Sequence, residues 1–146
     1  MEMKLSPAAQ VKSIIINYLR GICGDFSLPI ESTMVRGMLD SSGELKQAWG
    51  ILVACEDLGD HAGNTGRILV DVRPSITVYT HINEDAEGTL AESLATEVQF
   101  YITSCNYAEL EGWECNWVGN WVISDVAMDG SYRQITLEAT LPLSRT

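Results

Sequence analysis

The chain reads as an α+β protein: one four-stranded, mainly antiparallel sheet, two helices packed on one of its faces, and a long projecting β-hairpin. Three observations predict this. The stretch ILVDVRPSITVYTH, Ile68 to His81, alternates apolar and polar residues along its length. Two other stretches repeat apolar residues at helical spacing. Two turn-rich segments each join a pair of alternating runs, which is the pattern of a hairpin.

In the long stretch the apolar parity is Ile68, Val70, Val72, Pro74, Ile76 and Val78, closed by Thr80. Successive side chains point to opposite faces of a strand, so Ile68, Val70, Val72, Ile76 and Val78 are expected to face the helices. At about 3.3 Å per residue the run would reach roughly 45 Å, well beyond a usual strand. It is therefore expected to bend or to project from the domain. Pro74 has no N–H to donate, which predicts a bulge, an edge, or a break into two pairing segments at that point.

The remaining elements follow in order. Ser6-Pro7 is a helix start, and Ala8, Val11, Ile14, Ile15, Tyr18, Leu19 and Ile22 form its apolar stripe, ending at Gly21 or Gly24. Asp25 to Leu45, punctuated by Pro29, Gly37 and Gly43, reads as a long connection with a short helix over Glu31 to Leu39. It is expected to make subunit contacts or to lie over the sheet. Gln47 to Glu56 reads as a strand carrying Trp49, Ile51, Val53 and Cys55 on one parity, and Asp57 to Gly66 as the long hairpin tip.

After His81, carboxylates gather where a helix begins, and Thr89-Leu90-Ala91-Glu92 fits a capping box. Leu90, Leu94, Val98, Tyr101, Ile102 and Cys105 share one face, so this helix should run to about Ser104. Trp113 to Val126 reads as the third strand, with Trp113, Trp117 and Trp121 on one parity and Val118, Val122 and Val126 on the other. Asp129-Gly130 is a turn signal, and Tyr132 to Leu141 the last strand, stopped by Pro142. The sheet face away from the helices should stay partly apolar and aromatic, which invites a partner.

Composition narrows the functional classes. The 146 residues fit one domain spanning 1–146, with 46% apolar and 20% charged residues. Nine basic against 20 acidic residues leave a net charge of −11, which argues against a general nucleic-acid binder. That charge serves solubility, or a surface that must not hold a polyanion. No apolar run approaches the roughly 20 residues of a membrane span. The start MEMKLSPAAQ lacks the pattern of a signal peptide, so a cytoplasmic start is expected. Cys23, Cys55, Cys105 and Cys115 form no CxxC pair and read as reduced, mostly buried thiols.

Catalytic motifs are missing: there is no GxSxG, HExxH or P-loop, and Gly59, Gly63 and Gly66 do not make a dinucleotide fingerprint. Glu56, Asp57, Asp60 and His61 do not match the spacing of a calcium loop. Asp71 and His81, a conceivable acid–base pair, stand ten residues apart on one strand. No enzymatic activity, cofactor or metal is expected. The candidate functional residues are contact residues: Asp57, Asp60, His61, Asn64 and Arg67 at the hairpin tip, ordering on a neighbouring subunit, and Trp113, Trp117 and Trp121. For the tryptophans, core filling and a sugar-stacking platform are the alternatives to an interface.

From about Leu45 onward the chain resembles the tail terminators and related head-to-tail joining proteins of long-tailed bacteriophages. The residues that carry the resemblance are ILVDVRPSITVYT, then Glu84-Asp85-Ala86 opening a helix, then NWVGNWVISDV and RQITLEATLPL as closing strands. The preceding helix fits as well. The resemblance implies a virion structural protein without catalytic residues, assembled as a hexameric ring. Such a ring caps the tail tube, meets the head-completion or stopper protein, and lets DNA pass through its lumen without specific binding. Localisation would be the tail or neck of the virion, and the host cytoplasm during assembly. An acidic lumen suits sliding DNA, and Glu56, Asp57 and Asp60 are the candidates to face it, with Glu109 to Glu114 as a second acidic stretch. The alternatives are another neck or tail-tube component, or an unrelated small-molecule-binding or enzymatic α+β domain.

Overall fold

In the computed structural model, residues 6–22, 30–31, 49–62, 68–115 and 121–145 are described, the side chains at 22, 30–31, 59–62 and 129 excepted. The first helix, α1 (Pro7–Ile22), begins as its sequence requires. The Ser6 hydroxyl accepts the Ala9 N–H at 3.2 Å, and proline at the first helical position gives up no donor that the helix would use. Val11, Ile15 and Leu19 are sealed from solvent, with Ile16 and Ala8 beside them. Each such aliphatic side chain contributes roughly 1.5–3 kcal/mol on burial. They pack on β2 (Trp49–Ala62) and β3 (Ile68–His81).

The β2–β3 ladder is the frame of the molecule. It runs antiparallel from Trp49↔Thr80 to Asp57↔Val72, then shifts and resumes from Asp60↔Val70 to Ala62↔Ile68. Across the shift β2 advances three residues while β3 advances two, so one extra residue bulges from β2 beside Gly59. The expected tip from Asp57 is thus strand as far as Ala62. Glycine and short polar residues that read as a loop instead mark a bulge. A two-residue strand, β1 (Ile30–Glu31), adds to β2 in parallel and is the only parallel pairing among the described residues. Beyond Glu31, the helix expected to Leu39 lies outside the described residues, as do Cys23 and Gly24.

β3 exchanges its second partner at the proline. Ile68 to Val72 pair with β8 (Leu141–Arg145), whereas Ser75 to His81 pair with β7 (Tyr132–Glu138). Between the two ladders the Pro74 carbonyl accepts the Ala139 N–H at 3.3 Å. Proline, unable to donate, sits where pairing is handed over, which is the break into two segments that the sequence implied. The single last strand expected over Tyr132 to Leu141 is correspondingly two strands. Pro142 does not stop the second: it lies inside β8 opposite Asp71, beyond the short ladder of β4 (Glu114–Cys115), where no described strand pairs with that edge.

The other helix, α2 (Thr89–Ile102), is not held by the expected capping box. Thr89 is already helical, and Gly88 stands before it in the left-handed conformation at φ 80°. The cap comes from Asp85. Its Oδ1 accepts the Leu90 N–H and its Oδ2 the Ala91 N–H, each at 3.0 Å. Ala91, Ala95, Val98 and Ile102 form the buried stripe. The predicted stripe is therefore rolled: Leu90 and Leu94 are half-buried and Tyr101 is exposed. Small alanines let the helix approach the sheet closely, which leaves its larger neighbours at the flanks. The Tyr18 hydroxyl donates to the Tyr101 carbonyl at 2.8 Å and ties the two helices together.

The expected third strand, Trp113 to Val126, is broken into β4, β5 (Val122–Ile123) and, past Val126, β6 (Ala127–Asp129). β5 and β6 both pair with β7, and Gly130 at φ 61° makes the turn between β6 and β7. The path across the sheet is β1-β2-β3-β7-β5, with β8 and β4 extending it beside the outer half of β3. The result is an α+β fold with a mostly antiparallel sheet of more strands than the four expected. Ile51, Val78 and Ile135 lie in one cross-strand row, and Val53, Ile76 and Leu137 in the next. All six are buried under α1 and α2, so both helices cover the same face.

Candidate assembly surfaces

The face away from the helices is built from the other parity of the same strands. Leu52, Thr77 and Thr136 form one row across β2, β3 and β7; Ala54, Ser75 and Glu138 form another. The Thr77 and Thr136 hydroxyls bond to each other at 3.1 Å. At the near end His81 meets Tyr132 edge-on at 5.3 Å, and its Nδ1 accepts the Asn83 N–H at 3.1 Å. This face is more polar than expected, with Val122 of β5, opposite Glu138, as an exposed aliphatic member. Its aromatic members are tyrosines and a histidine, because Trp49 and Trp121 belong to the helix side.

The hairpin end carries one group of exposed aliphatic side chains. Ile68 is 40% exposed, Leu69 37% and Leu58 36%. Ile68 was expected in the core with Val70 and Val72. It has the right parity but stands at the far end of β3, opposite Ala62 and Arg145, past the buried rows beneath the helices. The Arg145 guanidinium lies over the Trp113 ring at 5.1 Å, so the half-buried Trp113 is a stacking partner at this end of β8.

The other proposed contact residues separate. Trp121 is 2% exposed, and its carbonyl accepts the Gln99 amide N–H of α2 at 2.9 Å. It is a core residue of the subunit and offers no interface surface. Asn64, Arg67 and Trp117 lie outside the described residues, as do the side chains of Asp60 and His61. Asp57 is exposed on β2 opposite Val72, and Glu56 is exposed opposite Arg73. Adjacent strand residues point to opposite faces, so one sheet face cannot present both carboxylates. Glu56 belongs to the open face and Asp57 to the helix side. The acidic trio is therefore neither a loop nor a single surface.

A second feature had no sequence signal. Between α2 and the β5–β6 edge runs a groove of about 330 Å³, lined by Glu92, Ala95, Thr96, Ile123, Ser124, Asp125, Val126 and Ile135. Val122, Val126 and Met128 stand exposed along that edge, at 67%, 41% and 54%, and Phe100 is 73% exposed on α2. The valines were read as one regular strand face. Val122 is still in the ladder, opposite Glu138 on the open face, whereas the chain leaves the ladder at Ser124, whose hydroxyl accepts the Thr136 N–H at 3.0 Å, before Val126.

Among the described residues, Asp71 and His81 are not brought together. Asp71 pairs with Pro142 in one half of β3, and His81 with Tyr132 at the opposite end. Cys55, Cys105 and Cys115 are thiols outside any disulfide. Burial, then nearby Asp57, pushes the Cys55 thiol up to about 12, and burial pushes Cys105 up to about 11. Such thiols are poor nucleophiles near neutral pH. Burial likewise raises the Tyr107 hydroxyl between Cys105, Cys115 and Cys55. Among the described residues no group of three His, Cys, Asp or Glu side chains is placed to hold a metal ion. No described helix is long and apolar enough to cross a membrane.

A scan against protein-family models gives no match to the chain, and a search of curated proteins gives none either.

Proposed function

We propose that this chain is the ring-forming tail terminator of a long-tailed bacteriophage, a virion structural protein that closes the tail tube and joins it to the head-completion proteins. The observation that carries the reading is the β2–β3 hairpin. Its two 14-residue strands extend beyond the rows covered by the helices and end in exposed Leu58, Ile68 and Leu69. Aliphatic side chains left exposed at the end of a ladder are costly in water and are relieved by a neighbouring protein surface. The open sheet face and the net charge of −11 fit a wall past which DNA slides. A hexamer is the expected ring, with the tail-tube protein and a stopper protein as axial neighbours.

The test is native mass spectrometry of the purified protein, followed by electron microscopy with polymerised tail tubes. A closed ring found at tube ends is the expected outcome. A monomer or dimer that never caps tubes would overturn the assignment and return the chain to a small-molecule-binding or enzymatic α+β class.

A further inference from the structure

Resting on the ring reading above, we propose that neighbouring subunits meet edge to edge, the acidic α2 side of one copy against the basic α1 side of the next. The sheet path places the helices toward opposite edges. α1 packs on β2 and β3, near the β1 edge, and α2 packs on β3 and β7, near the β5–β6 edge. The helices' own charges divide in the same way, with exposed Asp57 of β2 an acidic residue on the α1 side. α1, PAAQVKSIIINYLRGI, carries Lys12 and Arg20 and no acid. α2, TLAESLATEVQFYI, carries Glu92 and Glu97 and no base. Arg20, Glu92 and Glu97 are exposed and Lys12 is half-buried.

The α2–β5 groove gives this contact its receiving end. Glu92 stands on one wall and Asp125 on the other, above a floor of Ala95, Ile123 and Ile135. Its two hydroxyls are already committed: Thr96 donates to the Glu92 carbonyl at 2.9 Å, and Ser124 donates to the Asp125 carbonyl at 3.1 Å. The side-chain groups left at the rim are carboxylates, which only accept. An apolar floor below acceptor-only walls suits a long aliphatic stem with a cationic head, the chemistry of lysine or arginine. Exposed Val126 and Met128 extend the surface along the edge.

A second copy is the occupant because the complement is carried by this chain, at the opposite edge of the same helical layer. A contact between two different surfaces of identical subunits is heterologous, and such contacts generate rings when the rotation closes. Opposite charges on the two edges fix the direction of travel and disfavour back-to-back pairing.

Charge reversal tests this, with native mass and sedimentation as readouts and thermal melts confirming that each variant folds. E92K/D125K and K12E/R20E should each raise the concentration needed for ring formation, by roughly tenfold or more. The combined variant, E92K/D125K/K12E/R20E, should restore the ring, since both edges are then inverted together. If either pair melts below wild type, E92Q/D125N or K12Q/R20Q takes its place in the comparison. A wild-type ring unaffected by either reversal overturns this interface and leaves the ring reading standing. Disruption by single reversals without recovery in the combined variant also overturns it. A wild-type protein that forms no ring removes the ring reading, and this contact with it.

Discussion

Asp85 shows how much structure one side chain can organise. It is 4% exposed, receives two helix N–H groups, and accepts the hydroxyl of fully buried Thr80 at 3.0 Å. Arg133 donates from Nε to the Asp85 carbonyl at 2.9 Å and from its terminal nitrogen to the Ala86 carbonyl at 2.6 Å, which clamps the turn to β7. Burial works to raise the carboxyl, but the Leu90 and Ala91 N–H groups, Thr80 and Arg133 outweigh it and hold it below its ordinary value of 3.8. A depressed folded-state value means stability that is present above the unfolded value and is lost as pH falls through the folded one. Asp85→Ala should therefore cost about 2 kcal/mol at neutral pH, a lost cap plus unsatisfied buried donors. Denaturant melts should show the gap from wild type closing as pH falls below the ordinary carboxylate range. An unchanged gap well below that range would place the effect in packing rather than in the charge. The sequence pointed to carboxylates at this helix start, but the capping-box pattern at Thr89 named the wrong residue. Asp85 reaches the helix N–H groups across a turn held by Gly88, which a fixed-spacing motif does not describe.

Position along a strand matters as much as parity. Val72 and Ile68 share parity on β3, yet Val72 is sealed and Ile68 is 40% exposed. Val72→Asp should abolish folding, because an unpaired buried charge costs several kcal/mol against a total stability of about 5–15 kcal/mol. Ile68→Asp should leave a folded subunit by circular dichroism, and a protein unfolded by both would refute the placement of the helices. Ile68→Ser with Leu69→Ser should shift stability by no more than about 0.5 kcal/mol per site while weakening assembly. Equal assembly in native mass would mean that the hairpin end is not a contact. The period of two was legible because it is local. The handover at Pro74 was legible as a break, but which strands meet there depends on β7 and β8 arriving from more than fifty residues downstream.

At the scale of the whole molecule, acidity has to be assigned to surfaces. Glu56 stands on the open face opposite Arg73, while Asp57 points to the other side. If the open face borders the lumen, Glu56→Lys should slow DNA ejection at low salt and less at high salt, as screening shortens to about 3 Å at 1 M. Asp57→Lys should have no such effect. Equal ejection kinetics for both variants and wild type would remove Glu56 from the channel wall. Thiol chemistry gives an independent check on the packing of this region. With Cys55 and Cys105 pushed up to about 12 and about 11, iodoacetamide at mildly alkaline pH should label them far more slowly in the native protein than in denaturant. Rapid native labelling would contradict the burial.

The amino-acid sequence by itself determined the α+β class, the start of α1 at Ser6-Pro7, the limits of β3, the break at Pro74, and a charge unsuited to gripping polyanions. Each follows from patterns within about ten residues or from composition, where local sterics and hydrophobic periodicity decide. The tertiary structure alone decided that Asp57 to Ala62 is strand, that α2 is rolled onto its alanines, that Trp121 is core, and that β8 continues through Pro142. It also decided that a groove opens between Glu92 and Asp125. Those outcomes depend on which distant segments share a face, and side-chain burial is a property of the packed pair, which neither segment encodes alone.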